Sequence, residues 1–159
     1  MTGPRFACRQ AVLADLDTLA PLFDQYRQFY KQPGDLPAAR AFLLERIRNA
    51  QSVLFLAHDG DTALGFVQMY PCFESISLGR KFIFNDLFVA PEGRRRGVGK
   101  ALVKAAAAYA RALGCNSLGL STARDNHSAQ ALYRATGWEL EETYIEFNLP
   151  LSVQPDPHQ

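Results

Sequence analysis

The sequence predicts an α/β fold of the α+β kind. Its expected core is a mixed central sheet with helices on both faces, in the order β-α-α-β-β-β-α-β-α-β. Three observations predict it. Segments with apolar residues at helical spacing alternate with short β-branched and aromatic runs along nearly the whole chain. Asp59-Gly60-Asp61 between two apolar runs signals a hairpin. An apolar strand ending at Val89 passes through a Pro-, Gly- and Arg-rich turn into an alanine-rich helix.

Arg5 to Gln10 reads as a first strand. Asp15 is suited to cap a helix on which Leu16, Leu19, Leu22, Phe23, Tyr26 and Phe29 recur at helical spacing. Pro33-Gly34-Asp35 breaks that helix, and Pro37 suits the first turn of a second one carrying Phe42, Leu43 and Ile47. Val53 to His58 and Ala63 to Tyr70 form the hairpin strands. Pro71 to Arg80 reads as a polar loop leading into the strand Phe82 to Val89. A helix from Gly97 to Leu113 ends at Gly114, a suitable C-terminal stop. Ser117 to Ser121 is a strand, Ser128 to Thr136 a helix closed by Gly137, and Glu142 to Leu149 a last strand. Residues 1–149 form one domain, and residues 150–159 a frayed, proline-bearing tail.

With 159 residues the chain has length for one sizeable core, and 48% hydrophobic against 21% charged residues is ordinary for a globular protein. A net charge of +1 argues against wholesale attraction to nucleic acid or membrane. No stretch reaches the roughly 18 apolar residues of a membrane span, and the N-terminus lacks the apolar region of a secretory signal. Cys8, Cys72 and Cys115 are odd in number and outside any CxxC, which fits reduced thiols and a cytoplasmic location. His58, His127 and His158 show no metal-ligand spacing, so no metal is expected.

The chemistry concentrates between Phe82 and Leu102. After the strand come Pro91-Glu92-Gly93, three arginines, and Gly97-Val98-Gly99 at the start of a helix. A helix N-terminus offers unpaired N–H groups and partial positive charge. Glycines let an anion approach the backbone, and arginines add cationic forks, so the junction reads as a pyrophosphate cradle. It is not a Walker A loop, because Arg94 and Ala101 stand where Gly and Ser or Thr are needed. Nor is it a dinucleotide fingerprint, whose third glycine is replaced by Leu102.

Arg94-x-x-Gly97-x-Gly99 following Leu87-x-Val89 resembles the acetyl-CoA signature of the GNAT acetyltransferases. Asn126 through Tyr133, followed by Gly137-Trp138, resembles a later block of the same family, and the element order is similar from about Arg5 to Leu149. The resemblance implies a GNAT-type fold and an N-acetyltransferase that uses acetyl-CoA without a metal. It implies that the backbones of Leu87, Phe88 and Val89 pair with the pantetheine arm where this strand splays from Ser117 to Ser121. The amides of Arg96, Gly97, Val98, Gly99 and Lys100 would hold the pyrophosphate, with Arg94 or Arg95 reaching the remaining phosphate. Asn126 would bond the pantetheine, although capping the following helix is an equally physical role for it. Tyr133 would be the general acid at the leaving sulfur, since a phenol near pKa ~10 keeps its proton at pH 7. A homodimer is also implied.

An amine like that of lysine, with pKa about 10.4, is neutral in only about one molecule in 2,500 at pH 7. A carboxylate or ordered water should therefore stand near it. Asn85-Asp86-Leu87-Phe88-Val89 is similar to the Glu-Asp-Leu/Phe-Tyr/Phe-Val segment of the diamine and thialysine branch, but Asn85 replaces its basic Glu. Strand alternation places Asp86 on the side opposite Asn85, where it is structural or acts through water. Glu74 is a second candidate. By resemblance the acceptor would meet Tyr26, Tyr30, Asp35, Phe73, Glu74, Asn85, Tyr144 and Glu146, a mixture of rings and carboxylates suited to a small cationic amine. The alternatives are a protein lysine or N-terminus as acceptor, and a non-catalytic acyl-CoA binding module.

Overall fold

The computed structural model describes residues 5–152; residues 1–4 and most of the expected tail, 153–159, lie outside that description. Five strands, β1 (Ala7–Gln10), β2 (Val53–Asp59), β3 (Thr62–Glu74), β4 (Gly79–Val89) and β5 (Ser117–Gly119), form one sheet in sequence order. All neighbours are antiparallel except β4 and β5, which are parallel. Helices α1 (Leu16–Phe29) and α2 (Leu36–Arg48) cover one face, while α3 (Val98–Ala112) covers the other. The fourth helix, α4 (His127–Ala135), lies beside α3.

The two-sided core follows from the period-2 pattern of the strands. Along β2, Leu54 and Leu56 enter the α1/α2 layer, and Phe55 and Ala57 enter the α3 layer. On α1, Leu16, Leu19, Ala20 and Phe23 are buried at helical spacing and meet Leu43 of α2. Asp35 caps α2 by accepting from the Ala38 amide at 3.0 Å, with Pro37 in the first turn.

Asp15 serves differently from the expected helix cap. A short turn, Leu13–Asp15, precedes α1, and the Asp15 carboxylate reaches back to the Val12 amide (2.8 Å) and both Nη atoms of Arg9 (2.9 and 2.7 Å). These bonds, Arg9 first, hold its pKa down to about 2. A lowered carboxylate pKa means stability that is present above the ordinary value near ~4 and lost as pH falls toward about 2. Asp15→Asn is therefore expected to lower the melting temperature at pH 7 by about 2–4 °C, the size of a ~1 kcal/mol loss in such a domain. The difference should close in melts near pH 2; a gap unchanged by acid would show that the charge is irrelevant.

Three segments depart from the sequence expectation. Pro71 to Arg80 is not a loop: β3 and β4 run on as a long hairpin, Pro71 pairs with Phe82, and only 75–78 turn. The serines and Pro71 hid that continuation. The strand at Ser117 stops at Gly119 rather than Ser121. The last strand, Glu142 to Leu149, is not formed: the segment joins no neighbour in the sheet.

Candidate active site

The cradle is built from the turn between β4 and α3. Arg95 and Gly97 both adopt left-handed backbone (φ 59° and 80°), which turns successive amides toward one side of the loop. The Ala101 amide is bonded to the Gly97 carbonyl, so the Val98, Gly99 and Lys100 amides precede the first helical turn's donors and lack intrahelical acceptors. A Cβ built on Gly97 would meet nothing within 4 Å, which leaves room for a phosphate. At Gly99 a Cβ would come within 3.1 Å of Leu132 Cδ2, so this glycine also lets α4 pack against α3. Arg94, Arg95 and Lys100 are exposed. Arg96 is committed elsewhere: its Nη2 donates to Asp59 Oδ2 (2.8 Å) and to the Arg5 carbonyl (2.7 Å). Only its main chain remains for the cradle.

Above the cradle the sheet opens. The β4–β5 ladder pairs Lys81–Ile83 with Ser117–Gly119 and goes no further, so the β4 edge from Phe84 to Val89 has no β5 partner. An extended ligand arm with amides fits such an edge. Free donors, open space at Gly97 and an unpaired strand edge together fit the phosphates and pantetheine of an acyl-CoA.

Tyr133 stands at that opening. Its ring packs edge-on against Phe84 (centroids 6.2 Å apart) and lies 5.6 Å from Trp138. Burial first, and then the nearby Tyr30, push its phenol up to about 12. The Asn126 side chain accepts from the Ala129 amide at 3.2 Å, so it does cap α4.

On the opposite face a cleft of about 380 Å³ is lined by Phe23, Tyr26, Arg27, Ala38, Ala39, Phe42, Tyr70, Asn85 and Asp86. Asp86 reaches it because of a bulge. Gln68 pairs with Asp86 and Met69 with Phe84, leaving Asn85 as an extra residue in β4. The expected alternation therefore fails at this point. Phe82 and Phe84 point into the α3 layer, Phe88 into the α1/α2 layer, and Asn85 and Asp86 line one cleft instead of opposite sides. Asn85 Nδ2 donates to Asp86 Oδ1 (2.9 Å), and Gln68 Nε2 donates to Oδ2 (2.7 Å). Only 4% of Asp86 is exposed. Burial, followed by the Asp86 charge, raises the Tyr26 and Tyr70 phenols well above their ordinary range, so both keep their protons in the cleft that Asp86 lines.

Tyr26, Asn85 and Asp86 thus come together, with Tyr30 against Tyr26 at 5.1 Å between centroids. Glu74 and Tyr144 do not join them. Glu74 lies six residues along β3 from Gln68, about 20 Å at strand rise. There it accepts from Asn116, Ser77 and Ser117, which hold its carboxyl below the usual range. Tyr144 sits exposed on the unpaired segment after α4. Sequence reasoning missed Gln68, whose place inside a continuous apolar strand was the available signal, and Tyr70, which had been placed at a strand end. It also missed Asp24, whose Oδ1 takes the Asp35 amide (2.9 Å) and Arg27 (3.1 Å), tying the α1–α2 connection beside the cleft.

Comparison with known proteins agrees with this geometry. The family described as "Acetyltransferase (GNAT) family" matches residues 17–138. An uncharacterized N-acetyltransferase, YhfO of Bacillus subtilis (strain 168), is 43% identical over 141 residues, covering 89% of this chain and 95% of its own. An aminoglycoside N(6')-acetyltransferase type 1 of Klebsiella aerogenes is 35% identical over 100 residues, 61% of this chain and 65% of its own. The crystal structure of a probable acetyltransferase superposes with TM-score 0.88 at 39% identity, covering 93% of this chain and 99% of the other. The chain belongs to the GNAT acetyltransferase family and is an acyl-CoA-dependent acetyltransferase.

Proposed function

We propose that the enzyme transfers an acetyl group from acetyl-CoA to the primary amine of a small cationic molecule, by direct attack in a ternary complex. The observation that carries this reading is the buried Asp86 carboxylate in a cleft of aromatic rings, on the strand whose edge opens beside Tyr133. Rings and a carboxylate attract an ammonium group, and burial strengthens that attraction. Acetyl-CoA supplies the activated acetyl group. The cradle amides and the β4 edge hold it, Asp86 draws in the amine and takes its proton, and Tyr133 gives a proton to the leaving sulfur. The acceptor's N–C bond forms as the C–S bond breaks. The amine class to test first is the amino sugars, given the 35% identity with an aminoglycoside acetyltransferase. A cytoplasmic homodimer completes the proposal.

The test is free-thiol release from acetyl-CoA against amino sugars, spermidine, lysine, thialysine, arylalkylamines and lysine peptides. Release with small amines but not peptides supports the reading; release with peptides alone moves the acceptor to proteins. Asp86→Asn should lower kcat/KM for the amine about 10²-fold or more, as expected for losing a general base. KM for acetyl-CoA should hold. Unchanged turnover would leave Asp86 with a structural role only.

A further inference from the structure

We infer that Gln68 is a positioning residue for the reaction: it holds the Asp86 carboxylate ionised and fixed for the incoming amine. This rests on the proposed role of Asp86 as the base. Gln68 lies directly across the β3–β4 ladder from Asp86 and donates from Nε2 to its Oδ2 at 2.7 Å. It is fully buried, between Val67 and Met69 in a run of apolar β3 residues. Its other end is orphaned: Oε1 is buried, and no donor among the described residues reaches it. Packing alone would favour a side chain of this length without polar atoms, because a buried acceptor left unpaired is costly. What the amide supplies there is the bond to Asp86.

The direction of that bond selects a protonation state. An ionised carboxylate only accepts, so an amide N–H suits it. With the amide turned over, Oε1 would face Oδ2, and only a protonated carboxyl could bridge the two oxygens. Asn85 Nδ2 donates to Oδ1 at 2.9 Å, so each oxygen of Asp86 has a neutral donor. Among the described residues no ion pair includes Asp86. Donors without charge favour the ionised form and leave its charge uncompensated until an ammonium arrives. The other polar groups of the cleft are already committed. From α1 come Tyr26 and Arg27, the latter held by Asp24 (3.1 Å) and the Pro33 carbonyl (3.3 Å). From α2 come Ala38, Ala39 and Phe42, and from β3 Tyr70, on which Arg46 of α2 also acts. Both phenols keep their protons. Asp86 is therefore the group in the cleft whose protonation Gln68 governs.

Gln68→Met keeps the volume and removes the donor. The Asp86 carboxyl carbon is followed by NMR of isotope-labelled aspartate in the ligand-free protein, its signal identified by its loss in Asp86→Asn. Losing one hydrogen bond to a charged group should raise its titration midpoint by about one to two pH units. A carboxylate that protonates at higher pH is scarcer as a base in acid. The kcat/KM for the amine should therefore fall most at low pH and recover toward alkaline pH, with CoA affinity unchanged. A midpoint that stays put, or a loss equal at every pH, would make Gln68 a packing residue and overturn the inference. Should Gln68→Met not fold, Gln68→Glu keeps the shape and sets two carboxyls in contact. Such a pair shares a proton and titrates in two separated steps, and a single unchanged step for Asp86 would overturn the inference equally. The two proposals fail separately. A moved midpoint with Asp86→Asn as active as the parent keeps the coupling and discards Asp86 as the base; an unmoved midpoint with a slow Asp86→Asn does the reverse.

Discussion

A Gly97→Glu chain is expected to lose CoA binding by 10²-fold or more while keeping its fold. Two costs add at this position. Gly97 has φ 80°, and an L-residue there pays roughly 1–2 kcal/mol in backbone strain. The side chain then projects into the open space of the cradle, where its carboxylate faces the pyrophosphate, and like charges in contact cost several kcal/mol. Each 1.4 kcal/mol is a factor of about ten in affinity. Gly97→Ala separates the two costs, because it carries the strain without the charge and should weaken binding only about tenfold. Titration calorimetry with CoA checks both. Unchanged affinity in the Glu variant would remove the cradle from the cofactor site.

Tyr133→Phe is expected to lower kcat by about 10²-fold or more, within the span of general-acid effects, with little change in CoA affinity. The phenyl ring retains the packing on Phe84 and Trp138, so the loss isolates one proton. The pH profile of the parent carries a second sign. The Tyr133 phenol is pushed up to about 12, so it holds its proton across the ordinary working range. The rate should climb with pH as the amine becomes neutral, with no alkaline decline below roughly pH 10. A decline near pH 8 would place the acid on another group, and a variant as fast as the parent would make Tyr133 structural.

What the sequence made legible was local structure. Gly97, Gly99 and the arginines mark a turn into a helix by their spacing, and α3 begins where they say. The first two helices and the hairpin were readable from apolar periodicity, because those patterns are settled within a few residues of chain. Matters decided by a distant partner were not readable. The bulge at Asn85 is a property of β4 against β3, so alternation misplaced Asp86. Arg96 looked like its two neighbours until Asp59, on a strand 37 residues earlier, claimed its guanidinium. Residues 142–149 have a strand's pattern, yet a pattern states only which side seeks cover.

The extra residue in β4 divides mutational tolerance along a single strand. Before Asn85, even-numbered positions such as Phe82 and Phe84 belong to the α3 layer, so substitutions there tax stability. After it, Asp86 lines the cleft and Phe88 backs the α1/α2 layer, while the odd-numbered Leu87 and Val89 pack toward α3. Flattening the bulge, so that Asn85 paired regularly, would swap those assignments, driving a carboxylate into an apolar layer and presenting a leucine to the cleft. Keeping the bulge lets position 86, in the proposed acceptor cleft, change without disturbing the packing that Leu87 shares with α3.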